Sequence, residues 1–198
     1  MLLIIPVSAI AFASGVGLLR LPYEMFLLAE RMPLIFPMHM AASALALVLL
    51  PLMIATRHKR HLHRPVGRAL GLFVAVGGLT ALPVAVLSSS GEVARAGFFV
   101  QGLVWLALFA AGWRAIRARD VPHHTQLMLM MAAVTTGAVW FRLITGTSLL
   151  LHLPFEPMYA FAAWAGWLLP LAAVWTWTRQ RLHGHSAEPS LAIPTRTV

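Results

Sequence analysis

Two histidines, His63 and His124, lie at the starts of two apolar runs that are long enough to be membrane-spanning helices. Imidazoles from two facing helices can ligate one iron from opposite sides. His63 lies four residues before Gly67, which begins a smooth stripe that would let a flat porphyrin approach closely. The spacing therefore permits a haem b site between the two rings. It equally permits a plainer role, in which both rings lie in the headgroup zone without a ligand.

A second group of ionisable residues is predicted at the opposite ends of the helices, and it consists of His39, Arg142, His152 and Glu156. His39 precedes Arg57 by eighteen residues, about 27 Å of helix, which places it level with Arg142. An ionisable group within a span needs a partner or a task. The group could form a metal site, a proton-handling site or a quinone pocket, with His39 and Glu156 as ligands or bases. Alternatively, Arg142 and Glu156 form only a structural ion pair.

Methionine and histidine together form a soft ligand set that suits Cu(I). Met38 and Met40 flank His39, and several methionines follow His124. Copper and zinc are nevertheless secondary candidates to haem, because methionine is also ordinary apolar filler and the histidine pairs in polar segments are expected to be solvated. The chain has no cysteine, which excludes disulfides, iron–sulfur clusters and thiolate metal sites.

The helix that must position both groups is predicted to run from His124 to Arg142. Its eighteen residue steps make five whole turns and span about 27 Å, close to the thickness of the hydrocarbon. Both polar ends are therefore expected on one face. Between them, small, soft and polar residues follow at steps of three and four: Met128, Met131, Thr135 and Ala138. Such a stripe is predicted to face other helices and not lipid.

The composition places the whole chain in a bilayer. Of its 198 residues, 60% are apolar and 11% are charged, too few charges to cover a water-soluble surface. The net charge of +9 is compatible with nucleic acid, but the basic residues cap apolar helices and form no separate domain, which argues against a nucleic-acid partner. Anionic lipid headgroups are the expected partner of the basic residues, among them Arg64 and Arg68.

Hydropathy predicts six spanning helices in one all-α integral membrane bundle. They cover residues 1–19, 37–56, 66–87, 97–113, 124–151 and 158–177. The second to fifth form a predicted four-helix core. Residues 1–20 are predicted to be a retained, signal-anchor-like helix, because no Lys or Arg precedes its apolar run as in a cleaved signal. Residues 183–198 are predicted to be a disordered polar tail.

Lysine and arginine are distributed unequally between the two sides of the predicted bundle. The loops after the second, fourth and sixth helices hold ten of them, and the opposite loops hold three. The rich side is predicted to be cytoplasmic, which places the protein in a bacterial inner membrane with both termini in the cytoplasm.

Several short motifs occur in a fixed order between Pro37 and Trp177. They are His39; Leu62-His63-Arg64 with Gly67-Arg68; Asp120 with His124 and Met128; Arg142; and Pro154-Phe155-Glu156 with Tyr159, Ala163-Trp164 and Trp167. This set resembles a bacterial family of multi-pass membrane proteins known as domain of unknown function 2306. The resemblance implies a helical membrane domain over 37–177 and no particular reaction. The candidate residues that it selects are His39, His63, His124, Arg142 and Glu156.

The leading hypothesis from the sequence is a His-based haem- or metal-binding protein of redox or electron-transfer type, with a quinone or a membrane redox protein as partner. His63 and His124 would be ligands at the inner end, and the outer group would handle a substrate or a proton. The alternative is a non-enzymatic assembly, transport or interaction component, in which the polar residues hold the bundle together and the basic loop binds anionic lipid. Whether the protein is an enzyme is left open.

Overall fold

The computed structural model describes residues 4–19, 21 and 23–185, and this part of the chain is helical, with no β-strand. Its helices are α1 (Ile4–Gly15), α2 (Tyr23–Arg31), α3 (Ile35–Ala55), α4 (Arg60–Leu87), α5 (Glu92–Arg117), α6 (Val121–Thr135), α7 (Gly137–Leu150) and α8 (Phe155–His185). The predicted all-α class is confirmed. Most of the predicted disordered tail, residues 186–198, and the first three residues of the predicted first helix lie outside the described residues.

Five segments of the described chain are long and apolar enough to cross a membrane. Three of them are α3, α4 and α5; α6 and α7 together form a fourth over Val121–Leu150, and α8 contributes Phe155–Gln180. The remaining apolar helix, α1, has 12 residues and so is about 18 Å long. It packs against α3, where Gly15 lies beside Met40. The predicted multi-pass bundle is present, and the predicted first span corresponds in the described residues to this shorter helix.

The helices extend further than the apolar runs predict. α4 begins at Arg60, six residues before the predicted start at Val66, so it includes basic residues that the sequence placed in a loop. Arginine and leucine are good helix formers, and long basic side chains can carry their charge to water from the end of a spanning helix. Arg64 and Arg68 therefore lie on a helix, where both are exposed.

The predicted helix from His124 to Arg142 is divided at Thr136, where α6 ends and α7 begins. The hydroxyls of Thr135 and Thr136 donate to backbone carbonyls of the preceding turn at 2.8 and 2.7 Å. Bonds of this kind compete with the helical ladder and bend helices. Gly137 follows directly, and glycine weakens a helix interior further. The two polar ends of this span are close to different neighbouring helices: His124 contacts α5, and Arg142 interacts electrostatically with Tyr159 on α8.

The core of the bundle lies where α3, α4, α5, α6 and α8 meet. Its buried residues are Ala46, Leu50, Leu70, Val74, Trp105, Met131, Val134 and Trp167. The predicted four-helix core is present, and α8 adds one large aromatic ring to it. Met131 and Thr135 are buried, and the indole N–H of Trp105 donates to the Thr135 hydroxyl at 2.9 Å. This part of the predicted stripe therefore faces other helices and not lipid.

Two helix backbones come into close contact where α7 meets α8 at Gly166. A Cβ at that position would lie 3.1 Å from the backbone nitrogen of Phe141 and 3.3 Å from the carbonyl oxygen of Gly137. Backbone atoms cannot rotate away as a side chain can, so a small residue is required here. Gly146, also on α7, is different, because nothing lies within 4 Å of the corresponding position.

Gly166→Ala should destabilise the folded protein by about 1–3 kcal/mol, because the added methyl group must separate α7 from α8. Gly146→Ala is the matched control. It should leave stability unchanged or raise it by up to about 1 kcal/mol, since alanine favours helix over glycine. Thermal unfolding of both variants in one detergent makes the comparison. A melting temperature of Gly166→Ala equal to that of the wild type would contradict the close contact between the two helices.

Candidate functional site

His39 lies in the second turn of α3 and contacts α4. Its Nδ1 is 3.0 Å from the carbonyl oxygen of Gly77. A carbonyl oxygen only accepts hydrogen bonds, so Nδ1 donates, and Nε2 of the neutral ring keeps a free lone pair. Gly77 is closely packed, since a Cβ there would be 3.0 Å from Ser43 Oγ and 3.2 Å from the ring of Trp105. The imidazole is therefore held in one tautomer, with one nitrogen available to a proton or a ligand.

Arg142 on α7 is close enough to His39 for their charges to interact, and it interacts in the same way with the phenol of Tyr159 on α8. Its Nη1 donates to the carbonyl oxygen of Ala138 at 2.9 Å. A guanidinium group has five N–H donors, so this bond occupies a small part of its capacity. The three residues His39, Arg142 and Tyr159, here called the outer polar site, lie on α3, α7 and α8.

Aromatic rings surround Tyr159. Its ring centroid lies 5.0 Å from that of Phe141, 5.3 Å from that of Phe155 and 6.0 Å from that of Phe98. Phe141 and Phe98 meet the tyrosine ring edge to face. These rings pack around the ring of Tyr159 and cover part of it. The sequence names Tyr159 only as part of a motif and does not predict it as a site residue, because a single tyrosine has no informative spacing.

The other two residues predicted for the outer group are Glu156 and His152, and each lies in a different environment. Glu156 is the second residue of α8, and its Oε2 would be 3.9 Å from a Cβ on Gly91, the residue that precedes α5. The N-terminus of a helix favours a carboxylate there. In the described chain Glu156 does not form the ion pair with Arg142 that the sequence offered as an alternative. His152 has φ 53°, and its N–H donates to the carbonyl of Leu149 at 3.2 Å, so this residue ends α7 in a left-handed conformation.

A helix cap positions His124. The side chain of Asp120 accepts a hydrogen bond from the backbone N–H of His123 at 3.1 Å, which caps α6. Nδ1 of His124 then donates to the carbonyl oxygen of Gly112 on α5 at 2.9 Å. As at His39, the carbonyl fixes the tautomer and leaves Nε2 free. Histidines that bind metals are commonly held by this kind of second bond.

His63 lies near the start of α4, and its Nδ1 is buried with no hydrogen-bond partner among the described residues. α4 packs against α3 and α5, whereas α6, which carries His124, packs mainly against α5 and α8. The two rings that the sequence pairs are thus on helices that both border α5. Their joint ligation of a haem stays a prediction.

The structure presents a cavity elsewhere, between α4 and α5, with a volume of about 450 Å³. Arg68 lines this cavity, and neither His63 nor His124 does. Within residues 4–185 as described, no three His, Asp or Glu side chains come close enough together to hold a metal ion. A zinc-type site with three such ligands is therefore not formed in that part of the chain.

The segment that builds these sites matches a known family. The family model is described as predicted membrane protein (DUF2306), and it matches residues 36–178, well over half of the chain. The chain belongs to this family. The resemblance noted in the sequence is thereby confirmed. A search of the curated proteins and a search of the solved structures each found no match.

Several motifs that mark this chain as a DUF2306 protein have a visible structural reason. Asp120 caps the helix that carries His124, and the next motif residue, Met128, packs against Gly112. Trp167 is buried in the core, where its indole donates to a carbonyl of its own helix at 3.0 Å. His39 and Arg142 do not contribute to the hydrophobic core. They are therefore the motif residues that most need a functional explanation.

Proposed function

We propose that this DUF2306 protein binds a planar small molecule with electronegative oxygens, of the quinone class, at the outer polar site and exchanges a proton with it. The observation that carries the proposal is the hydrogen bond from His39 Nδ1 to the carbonyl of Gly77. It makes Nε2 the nitrogen that accepts or returns a proton at a ligand hydroxyl.

The remaining groups of the outer polar site suit the same ligand. The guanidinium of Arg142 can donate to a carbonyl or phenolate oxygen and stabilise negative charge that develops on it. The phenol of Tyr159 is a second donor, and the rings of Phe98 and Phe141 beside it provide apolar surface for a planar ring. Such a molecule dissolves in the same bilayer that the five spans occupy.

We also propose a location for the protein and an orientation in the membrane. The protein would lie in a bacterial inner membrane with its basic end and both termini in the cytoplasm. The excess of Lys and Arg at that end supports this orientation by the positive-inside rule. The outer polar site would then open toward the opposite side of the membrane.

Arg142→Ala should weaken the binding of a short-chain ubiquinone by about 10- to 100-fold, because a hydrogen bond to a charged group contributes about 1.5–3 kcal/mol. His39→Ala should also weaken it. His152→Ala, at the same end but outside the site, should bind within about twofold of the wild type. Tryptophan fluorescence during titration of the detergent-purified protein measures the affinity, and circular dichroism checks the fold.

Two results of this titration would contradict the proposal. One is the absence of saturable binding to folded wild-type protein, and the other is equal affinity in all three variants. Either result would favour the alternative function, a non-enzymatic assembly, transport or interaction component whose polar residues hold the helices together.

A second candidate function is haem-based electron transfer at the inner end, with His63 and His124 as ligands. Two observations favour it: the fixed tautomer of His124, and the buried, unpartnered Nδ1 of His63 in the described structure. A bound haem would supply one-electron chemistry, and Nε2 of His124 is the nitrogen that would face the iron.

If haem binds, protein purified from haem-replete cells should show a Soret band that is lost in His63→Ala and in His124→Ala. His123→Ala is the matched control, because this exposed neighbour should not affect the band. A colourless, fully folded wild-type preparation would exclude this second candidate. It would not affect the proposal for the outer polar site, which the quinone titration tests separately.

A further inference from the structure

The cavity between α4 and α5 is a groove with one charged end and an apolar body. Arg68 on α4 and Arg114 on α5 line the charged end, and Gly71, Ala75, Phe109 and Trp113 contribute to the body. From Arg68 to Ala75 is seven residues, or about 10 Å of helix. The groove therefore runs from the basic end of the bundle into the region of the hydrocarbon.

The apolar wall of the groove depends on Gly71. A Cβ at this position would lie 2.8 Å from Cε2 of Phe109, so the aromatic ring packs directly against the backbone of α4. Trp113 lies one turn after Phe109 on α5. The centroids of the two rings are 6.3 Å apart, and the side chain of Trp113 is exposed. The two rings and the small residues opposite them form a mainly apolar surface, the kind that a hydrocarbon chain contacts favourably.

No group within the described part of the chain neutralises the charge at the mouth of the groove. Arg68 and Arg114 are exposed, and within the described residues neither forms an ion pair or a hydrogen bond through its side chain. The acidic residue at this end of the described chain, Asp120, caps α6. Two guanidinium groups on adjacent helices match the oxygens of a phosphate group.

We propose that this groove binds one anionic phospholipid, with its phosphate between Arg68 and Arg114 and one acyl chain along the apolar wall. This proposal gives a role to Arg114, which the sequence did not select. It also distinguishes Arg68, which lines the groove, from the other basic residues of α4. The proposal is independent of the outer polar site and of haem, since it uses none of their residues. A free phosphate would leave the apolar body of the groove empty.

Full-length protein, delipidated in mild detergent and titrated with phosphatidylglycerol, tests this site by native mass spectrometry. The wild type should bind one molecule of phosphatidylglycerol. Arg68→Gln with Arg114→Gln should weaken its binding by at least about tenfold, since each basic residue contributes to the attraction of an anionic headgroup. The matched control, Arg60→Gln with Arg117→Gln, removes the same charge from the same two helices and should bind within about twofold of the wild type.

Two further titrations test the shape of the site. Ala75→Phe keeps both arginines but fills the groove, so it should lose the lipid as the first double variant does. Inorganic phosphate should not displace the bound lipid. Phosphatidylcholine, whose headgroup has no net charge, should bind more weakly than phosphatidylglycerol. Equal losses in the two double variants, equal binding of the two lipids, full binding by folded Ala75→Phe, or displacement by phosphate would each overturn the proposal.

Discussion

Two carbonyl oxygens, those of Gly77 and Gly112, hold the imidazoles of His39 and His124, and the polar interior of the bundle depends on these bonds. Hydrocarbon offers no partner to a polar side chain, so a hydrogen bond within the protein stabilises such a group. A helical carbonyl can accept a second hydrogen bond, because it has two lone pairs. Both carbonyls belong to glycines. The packing around these positions is tight enough that a side chain there would meet neighbouring atoms.

The same kind of bond joins helices elsewhere in the bundle. The amide of Gln101 on α5 donates to the carbonyl of Val134 on α6, and the indole of Trp105 donates to the hydroxyl of Thr135. These contacts lie beside the break at Thr136 and join α5 to the last turn of α6. Interhelical hydrogen bonds at closely packed positions are a usual source of specificity between membrane helices. The break thus redirects α7 toward α8 without leaving the polar groups of Gln101 and Trp105 unpaired.

Hydropathy predicts most of this fold, because long apolar runs have few alternatives in a bilayer. It fails at Arg60, since a basic segment at the end of a helix and a basic loop have the same composition. It also misses the break at Thr136, because the spacing from Met128 to Ala138 continues the helical period through it. In the site, the sequence selects His39 and Arg142 as ionisable groups within spans. It cannot show that Glu156 lies by the start of α5, because that contact depends on how the helices are arranged in space.

The two carbonyl oxygens fix the tautomer of His39 and of His124. Nitrogen-15 NMR of protein labelled at histidine, with His39→Gln and His124→Gln for assignment, measures it directly. We expect a protonated Nδ1 and a lone-pair Nε2 for each of the two rings. Resonances with the proton on Nε2, or averaged shifts like those of the exposed histidines, would contradict this expectation.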